Sequence, residues 1–135
     1  MRKAIKLFLR QAIAAGFLSA VADRFGLWPA QASAWGNWNN FVEYTATITS
    51  FIPNSAAQVL AIIATAAEVL FAICLIVGFK TKLFANLSGL LLLTFALCMT
   101  FSIGIKPVFD YSVFAAAAGA FALGTMKEKF LEVSK

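Results

Sequence analysis

Glu68 is the residue whose type and setting could do chemistry. It lies near the middle of residues 61–82, AIIATAAEVLFAICLIVGFKTK, a run long and apolar enough to cross a bilayer. An intramembrane carboxylate costs about 3 kcal/mol or more unless it is paired or protonated. Two readings follow. Glu68 is either a protonated acid hydrogen-bonded across helices, or a proton-handling or ligand-anchoring acid. Counted from the cytoplasmic ends at about 1.5 Å per residue, Glu68 and Thr94 both lie roughly 17 Å deep, with Ser19 slightly farther out. Asp23 and Arg24 fall about 10 Å beyond Glu68 by the same rise, so Arg24 is expected to stop short of a direct bond. The expected ligand pocket therefore comprises Glu68, Ser19 and Thr94 beneath a vestibule of Asp23, Arg24, Trp35, Trp38, Glu43, Asp110 and Tyr111.

The remaining chemistry is thin. The chain has no histidine, which excludes His-ligated haem, His-based zinc sites and histidine general bases. Its two cysteines, Cys74 and Cys98, form no CxxC. Their expected depths, about 8 and 23 Å, are too far apart for a disulfide. No catalytic constellation and no metal site is expected.

The elements that must position these residues are membrane helices. Of 135 residues, 61% are hydrophobic and only 13% charged, too little charge for the surface of a soluble domain this size. The net charge is +5, yet the Lys and Arg residues cluster between apolar runs instead of forming a patch with interleaved aromatics, so nucleic acid is not the expected partner. The expected fold is all-α: one domain over residues 1–135, a polytopic four-helix bundle with spans at about 5–27, 55–79, 83–105 and 111–126. An outer loop, 28–54, joins the first two spans and holds an interfacial or re-entrant segment.

Each span carries its own pattern. The first also resembles a secretory signal, with Arg2 and Lys3 ahead and Ala20-Val21-Ala22 before Asp23; Lys6 and Arg10 interrupt its apolar stretch and favour retention. Its uncharged part, 11–22, spans roughly 18 Å. Arg10 must then snorkel to headgroups, or Asp23 and Arg24 must be sheltered by protein. Gln11, Ala15, Ser19 and Asp23 make a stripe expected to face other helices. In the loop, Asn39 or Asn40 could cap a short helix that presents Phe41, Tyr44, Ile48 and Phe51 on one face and ends before Pro53. Its aromatics read either as a belt at the headgroups or as a lid over a cavity. On the second span, Ala57, Ala61, Ala64, Thr65, Glu68 and Ala72 share one side, with Ile63, Leu70 and Val77 pointing away. Thr94, Cys98 and Ser102 form a stripe on the third. Ala115, Gly119 and Ala122 form a small-residue contact face on the fourth, after a weak loop with Lys106, Pro107 and Asp110. The tail, KEKFLEVSK, reads as a solvated helix end.

With both termini cytoplasmic, nine cations (Arg2, Lys3, Lys6, Arg10, Lys80, Lys82, Lys127, Lys129 and Lys135) lie inside and two (Arg24 and Lys106) outside. That asymmetry fits the positive-inside rule.

Three blocks carry a family resemblance: FLSAVADRFGLWP, ATAAEVLFAICLIVGFKTKLFANLSGLLLL and DYSVF. They resemble DoxX-like membrane proteins over roughly residues 7–125. The matching positions are Glu68, the basic Arg24 and the turn Gly78-x-x-Thr81-Lys82. The resemblance implies a four-helix bundle of the bacterial inner membrane associated with redox systems. It implies a quinone as ligand and a membrane redox protein as partner; a second copy of the chain is a further expected partner. Some members carry a histidine near the end of the first span, where this chain has Ala20 or Val21, and the CxxC of related redox proteins is missing. The expected function is an accessory subunit of a membrane redox system that binds a lipophilic ligand near Glu68. The alternative is a non-catalytic membrane scaffold or partner-binding protein with a structural Glu68. A small transporter is a third reading, weakened by the low span number and the lack of a broken helix pair.

Overall fold

The computed structural model describes residues 1–133; Lys135, counted above among the inside cations, lies outside the described residues. Among those residues every regular element is a helix. Three are long and apolar enough to cross a membrane: α1 (Arg2–Arg24), the helix running through Asn54–Val77, and α4 (Thr81–Ile103). The second of these opens as a single 3-10 turn, Asn54–Ala56, and continues as α3 (Ala57–Val77). Between α1 and α3 lies α2 (Trp38–Ile48), which packs against α1, α3 and α4. The expected weak loop after the third span is instead a short helix, α5 (Ile105–Asp110). The expected fourth span is α6 (Val113–Thr125), only 13 residues long. At about 1.5 Å per residue it covers roughly 20 Å, less than a hydrocarbon core.

The exposed surface of the long helices is apolar, as a lipid-facing surface requires. Ile63, Leu70 and Val77 are all exposed on α3, as their phase predicts. The opposite side buries Ala57, Ala61, Thr65, Glu68 and Ala72. The expected stripe of α3 is thus present, because small side chains let neighbouring backbones approach.

The phase of α1 differs from expectation. Of the expected stripe, Asp23 is buried and Gln11 half-buried, but Ala15 and Ser19 are exposed; the buried side is Lys6, Arg10, Ala14, Phe17, Asp23 and Arg24. Arg10 does not snorkel outward; its guanidinium finds carbonyl partners inside the protein, so burial needs no water. The contact face of α6 is also rotated. Ala115 and Ala122 are exposed, while Ala117, Ala120, Leu123 and Gly124 are buried. Here α6 meets α4: a Cβ on Gly124 would strike the Asn86 side chain, and one on Gly89 would lie 2.8 Å from the Phe121 ring. The interlock pairs glycines with large partners, which a search for small-residue repeats does not find.

The α2 cap is Asn37, whose side chain accepts from the Asn40 N–H, not Asn39 or Asn40. Its buried face is Phe41, Thr45 and Ile48; Phe51 is 65% exposed. Ser102 donates to the Ile48 carbonyl at 2.7 Å and so pins the end of α2 to α4.

The turn from α3 to α4 ends on Gly78 at φ 78°, a left-handed position where glycine escapes the Cβ penalty. Its N–H and that of Phe79 both return to the Cys74 carbonyl, at 2.9 and 2.8 Å. The tail is not a solvated helix end. Helix α6 stops at Thr125, and residues 126–133 fold back so that the Val133 N–H reaches the Val77 carbonyl at 3.0 Å. The first and last described segments therefore meet at one end of the bundle, the terminal end. The loop between α1 and α2, with α2 and α5, forms the opposite or loop end.

Candidate functional site

The second span's lone acid has a direct partner. Arg24 Nη2 donates to Glu68 Oε1 at 3.0 Å, and Arg24 Nη1 donates to Thr65 Oγ1 at 2.8 Å. Glu68 Oε2 lies 2.7 Å from Nη1, close enough for an ion pair, but Nη1 is aligned on Thr65. Glu68 Oε2 and Arg24 Nε are consequently buried polar atoms without a hydrogen-bond partner. Both side chains are 2% exposed.

The expected gap between these residues is spanned by their side chains. Arg10 bonds to Leu75 and Ile76, which sets the register of α1 on α3. From that level Arg24 lies farther along α1 than Glu68 lies back along α3, by about 10 Å at helical rise. Helical side chains lean toward their own N-terminus, and on these antiparallel helices that points Arg24 and Glu68 at each other. Arg24 also sits in the last turn of α1, where the helix dipole favours a cation.

Aromatic rings cover the pair. The Arg24 guanidinium carbon lies 3.8 Å from the Phe41 ring centroid and 5.3 Å from that of Trp35. Trp35 in turn packs edge-on against Phe41, and Trp38 stacks on Phe25 with centroids 5.7 Å apart. Beside this stack runs a groove of about 610 Å³ lined by Phe25, Trp38, Ile62, Thr65, Ala66 and Val69. Thr65 belongs to both the groove and the Arg24 contact. The groove is otherwise apolar, and Ile62 on its wall is 51% exposed on the flank of α3.

Asp23 has a different task from the one expected of it. Its carboxylate accepts from the backbone N–H groups of Ala34 at 2.6 Å, Gly36 at 3.0 Å and Trp35 at 3.4 Å. It fastens the loop that presents Trp35 over Arg24. Five other expected pocket residues lie elsewhere. Ser19 is exposed, and its carbonyl accepts from Trp28 Nε1. The Thr94 hydroxyl is exposed and bonds back to the Leu90 carbonyl, as hydroxyls in apolar helices commonly do. Glu43 is exposed on α2. Asp110 pairs with Lys106 one turn away at 2.9 Å, and Tyr111 is 72% exposed. The structure thus brings Glu68, Arg24, Asp23, Trp35 and Trp38 together and leaves out Ser19, Thr94, Glu43, Asp110 and Tyr111. It adds Thr65, Phe41 and Phe25. Thr65 was legible as the polar neighbour of Glu68 one turn back on the same face.

A second buried charge cluster, at the terminal end, has no counterpart in the sequence reading. Arg10 Nε donates to the Leu75 carbonyl at 2.9 Å and Nη2 to that of Ile76 at 3.0 Å. Nη1 donates to the Phe130 carbonyl at 2.8 Å and Nη2 to that of Leu131 at 2.9 Å. Lys6 Nζ donates to the Glu128 carbonyl and pairs with Glu132 Oε2 at 3.1 Å. Thr81 donates to Glu132 Oε1 at 2.7 Å. Lys6 and Arg10, four residues apart on one helix face, were the available signal.

Cys74 and Cys98 are free thiols. Among the described residues no group of three or more His, Cys, Asp or Glu side chains is placed to hold a metal. Comparison with protein-family models, with curated proteins and with solved structures finds no match to this chain.

Proposed function

We propose that this chain is a four-span protein of the bacterial inner membrane, with both termini cytoplasmic and α2 lying at the outer interface. In this reading it binds a lipophilic ligand, a quinone by its DoxX-like resemblance, and serves as an accessory subunit of a membrane redox system. The observation that carries the reading is an incompletely bonded ion pair, Arg24–Glu68, sharing Thr65 with an apolar groove. A ligand with a flat apolar ring and a polar edge suits that combination. The ring lies between the Phe25–Trp38 stack and α3, with its oxygen directed at Thr65 and Arg24. The orientation is supported by Arg2, Lys3, Lys80, Lys82, Lys127 and Lys129, all exposed at the terminal end.

The test uses the full chain in nanodiscs and a short-tailed quinone that quenches tryptophan fluorescence. Wild type gives saturable quenching. Ala66→Phe fills the groove without touching the ion pair and abolishes it. Equal quenching in both proteins removes the groove from the function. The scaffold reading then stands, supported by the number of elements that Arg24 joins: α1, α3 through Thr65 and Glu68, and α2 through Phe41.

A further inference from the structure

The cluster at the terminal end holds two cations, Lys6 and Arg10, around one carboxylate, Glu132. Lys6 and Glu132 side chains are 4% and 2% exposed, and Arg10 is 1% exposed. The donors converge on the carboxylate from three directions: Lys6 Nζ, Thr81 Oγ1 and the Phe130 N–H at 3.0 Å. Thr81 is also the first residue of α4, a 23-residue helix without a side-chain cap, so the positive end of a long helix dipole faces the same point. The arrangement is an anion pocket with an occupant supplied by the chain itself.

That occupant is held at some cost. Leu131 adopts φ 52°, a left-handed conformation that penalises a branched side chain. It turns Leu131 and Val133 outward, 67% and 73% exposed, while Glu132 points in. Apolar groups outside and charges inside suit a segment lying against lipid. Lys80, Lys82, Lys127 and Lys129 are exposed around it.

We infer that Lys6, Arg10 and Thr81 form a binding site for the phosphate of an anionic phospholipid, which Glu132 occupies until the tail is displaced. Phosphate offers the same acceptor oxygens as the carboxylate and accepts the guanidinium fork, which Arg10 now gives to carbonyls. A phosphodiester carries the same single negative charge as the Glu132 carboxylate, so the exchange conserves the charge of the cluster while Glu132 moves to the aqueous side. The cations around the tail raise the local concentration of anionic lipid.

Native mass spectrometry of the full chain in detergent reads the inference directly. The probes are phosphatidylglycerol, phosphatidylcholine and inorganic phosphate. Glu132→Ala is expected to bind phosphatidylglycerol about tenfold more tightly than wild type, by freeing charge-assisted donors. Phosphatidylcholine binding should not change, and Lys6→Met in the Glu132→Ala background should remove the gain. Glu132→Gln keeps the side-chain volume and gives the same direction of change should the alanine variant fail to fold. No gain in either variant overturns the site. A gain that survives Lys6→Met overturns the assignment of the pocket. Inorganic phosphate that competes at the lipid's own concentration shows a soluble-phosphate site and overturns the lipid.

Discussion

Arg10 and Arg24 stand on one helix and are equally buried, yet their surroundings differ in kind. Arg10 meets four carbonyl oxygens, two at the end of α3 and two in the tail, and all three of its nitrogens donate. No carboxylate is needed, because helix-end carbonyls are unpaired acceptors carrying partial negative charge. Arg24 meets one carboxylate, one hydroxyl and two aromatic faces, and its Nε has no partner. The first is a joint that ties chain ends together. The second leaves hydrogen-bonding capacity unused next to a groove, which is where a ligand or a rearrangement gains most. A buried charge alone therefore says little about function: Arg24 has unused hydrogen-bonding capacity beside a groove, whereas a ligand reaches Arg10 only by displacing the tail that now satisfies it.

The sharpest test of that contrast is to remove each arginine. Arg10→Met takes the donors from one buried and three part-buried carbonyls and releases the tail, and the expected loss is about 3 kcal/mol or more. Arg24→Met leaves Glu68 charged and alone, with an expected loss of about 3–5 kcal/mol. The double variant Arg24→Met/Glu68→Leu should then recover most of that loss, because it removes the stranded charge. Arg10 has no such single rescuer. Unfolding in mixed detergent measures all three. A double variant as unstable as Arg24→Met would show that the pair is not energetically coupled.

The fold was legible to the extent that it rests on apolar length and phase. The exposed side of α3 and its small-residue stripe follow from counting along one helix. Relations between helices did not follow, since no residue in α1 announces where it docks on α3. Arg24 and Glu68 meet because their side chains lean toward each other across the axial gap, and the rotation of α1 about its axis carries Ser19 to the outside. Thr94 failed for another reason: its hydroxyl is satisfied within its own helix, so nothing draws it to the site. The tail's charges look surface-like in the sequence and predict solvation, but Glu132 has Lys6 and Thr81 as partners across more than fifty residues of sequence.

Smaller effects refine each end of the comparison. Gly78→Ala must take φ 78° and place a Cβ 2.6 Å from the Glu132 Cα, so it should dislodge the tail at a cost of about 2 kcal/mol. Accelerated hydrogen exchange at Val133, with that at Gly36 unchanged, is the expected signature. Asp23→Asn weakens the charged acceptor for three loop amides, for about 1–2 kcal/mol. Exchange should rise at Ala34 and Gly36 and stay constant at Val133. Exchange that rises at both ends in either variant would show that the two clusters are coupled through α1.

The mildest perturbation is a proton. Burial pushes the Glu132 pKa up, but hydrogen bonds from Thr81, the Phe130 N–H and Lys6, with the Lys6 charge, outweigh it and hold the carboxyl below the usual glutamate range. A carboxylate with a lower pKa folded than unfolded contributes stability above its unfolded value and loses it as pH falls through the folded one. Tail protection, read as exchange at Val133, should therefore be flat from neutral pH down to the ordinary glutamate range and fall below it. Glu132→Gln should flatten the profile at its acid level. Four hydrogen bonds from Arg10 to main-chain carbonyls do not titrate, so acid should loosen the tail without freeing it. Complete release in acid would mean that the Lys6–Glu132 contact, not Arg10, holds the terminal end closed.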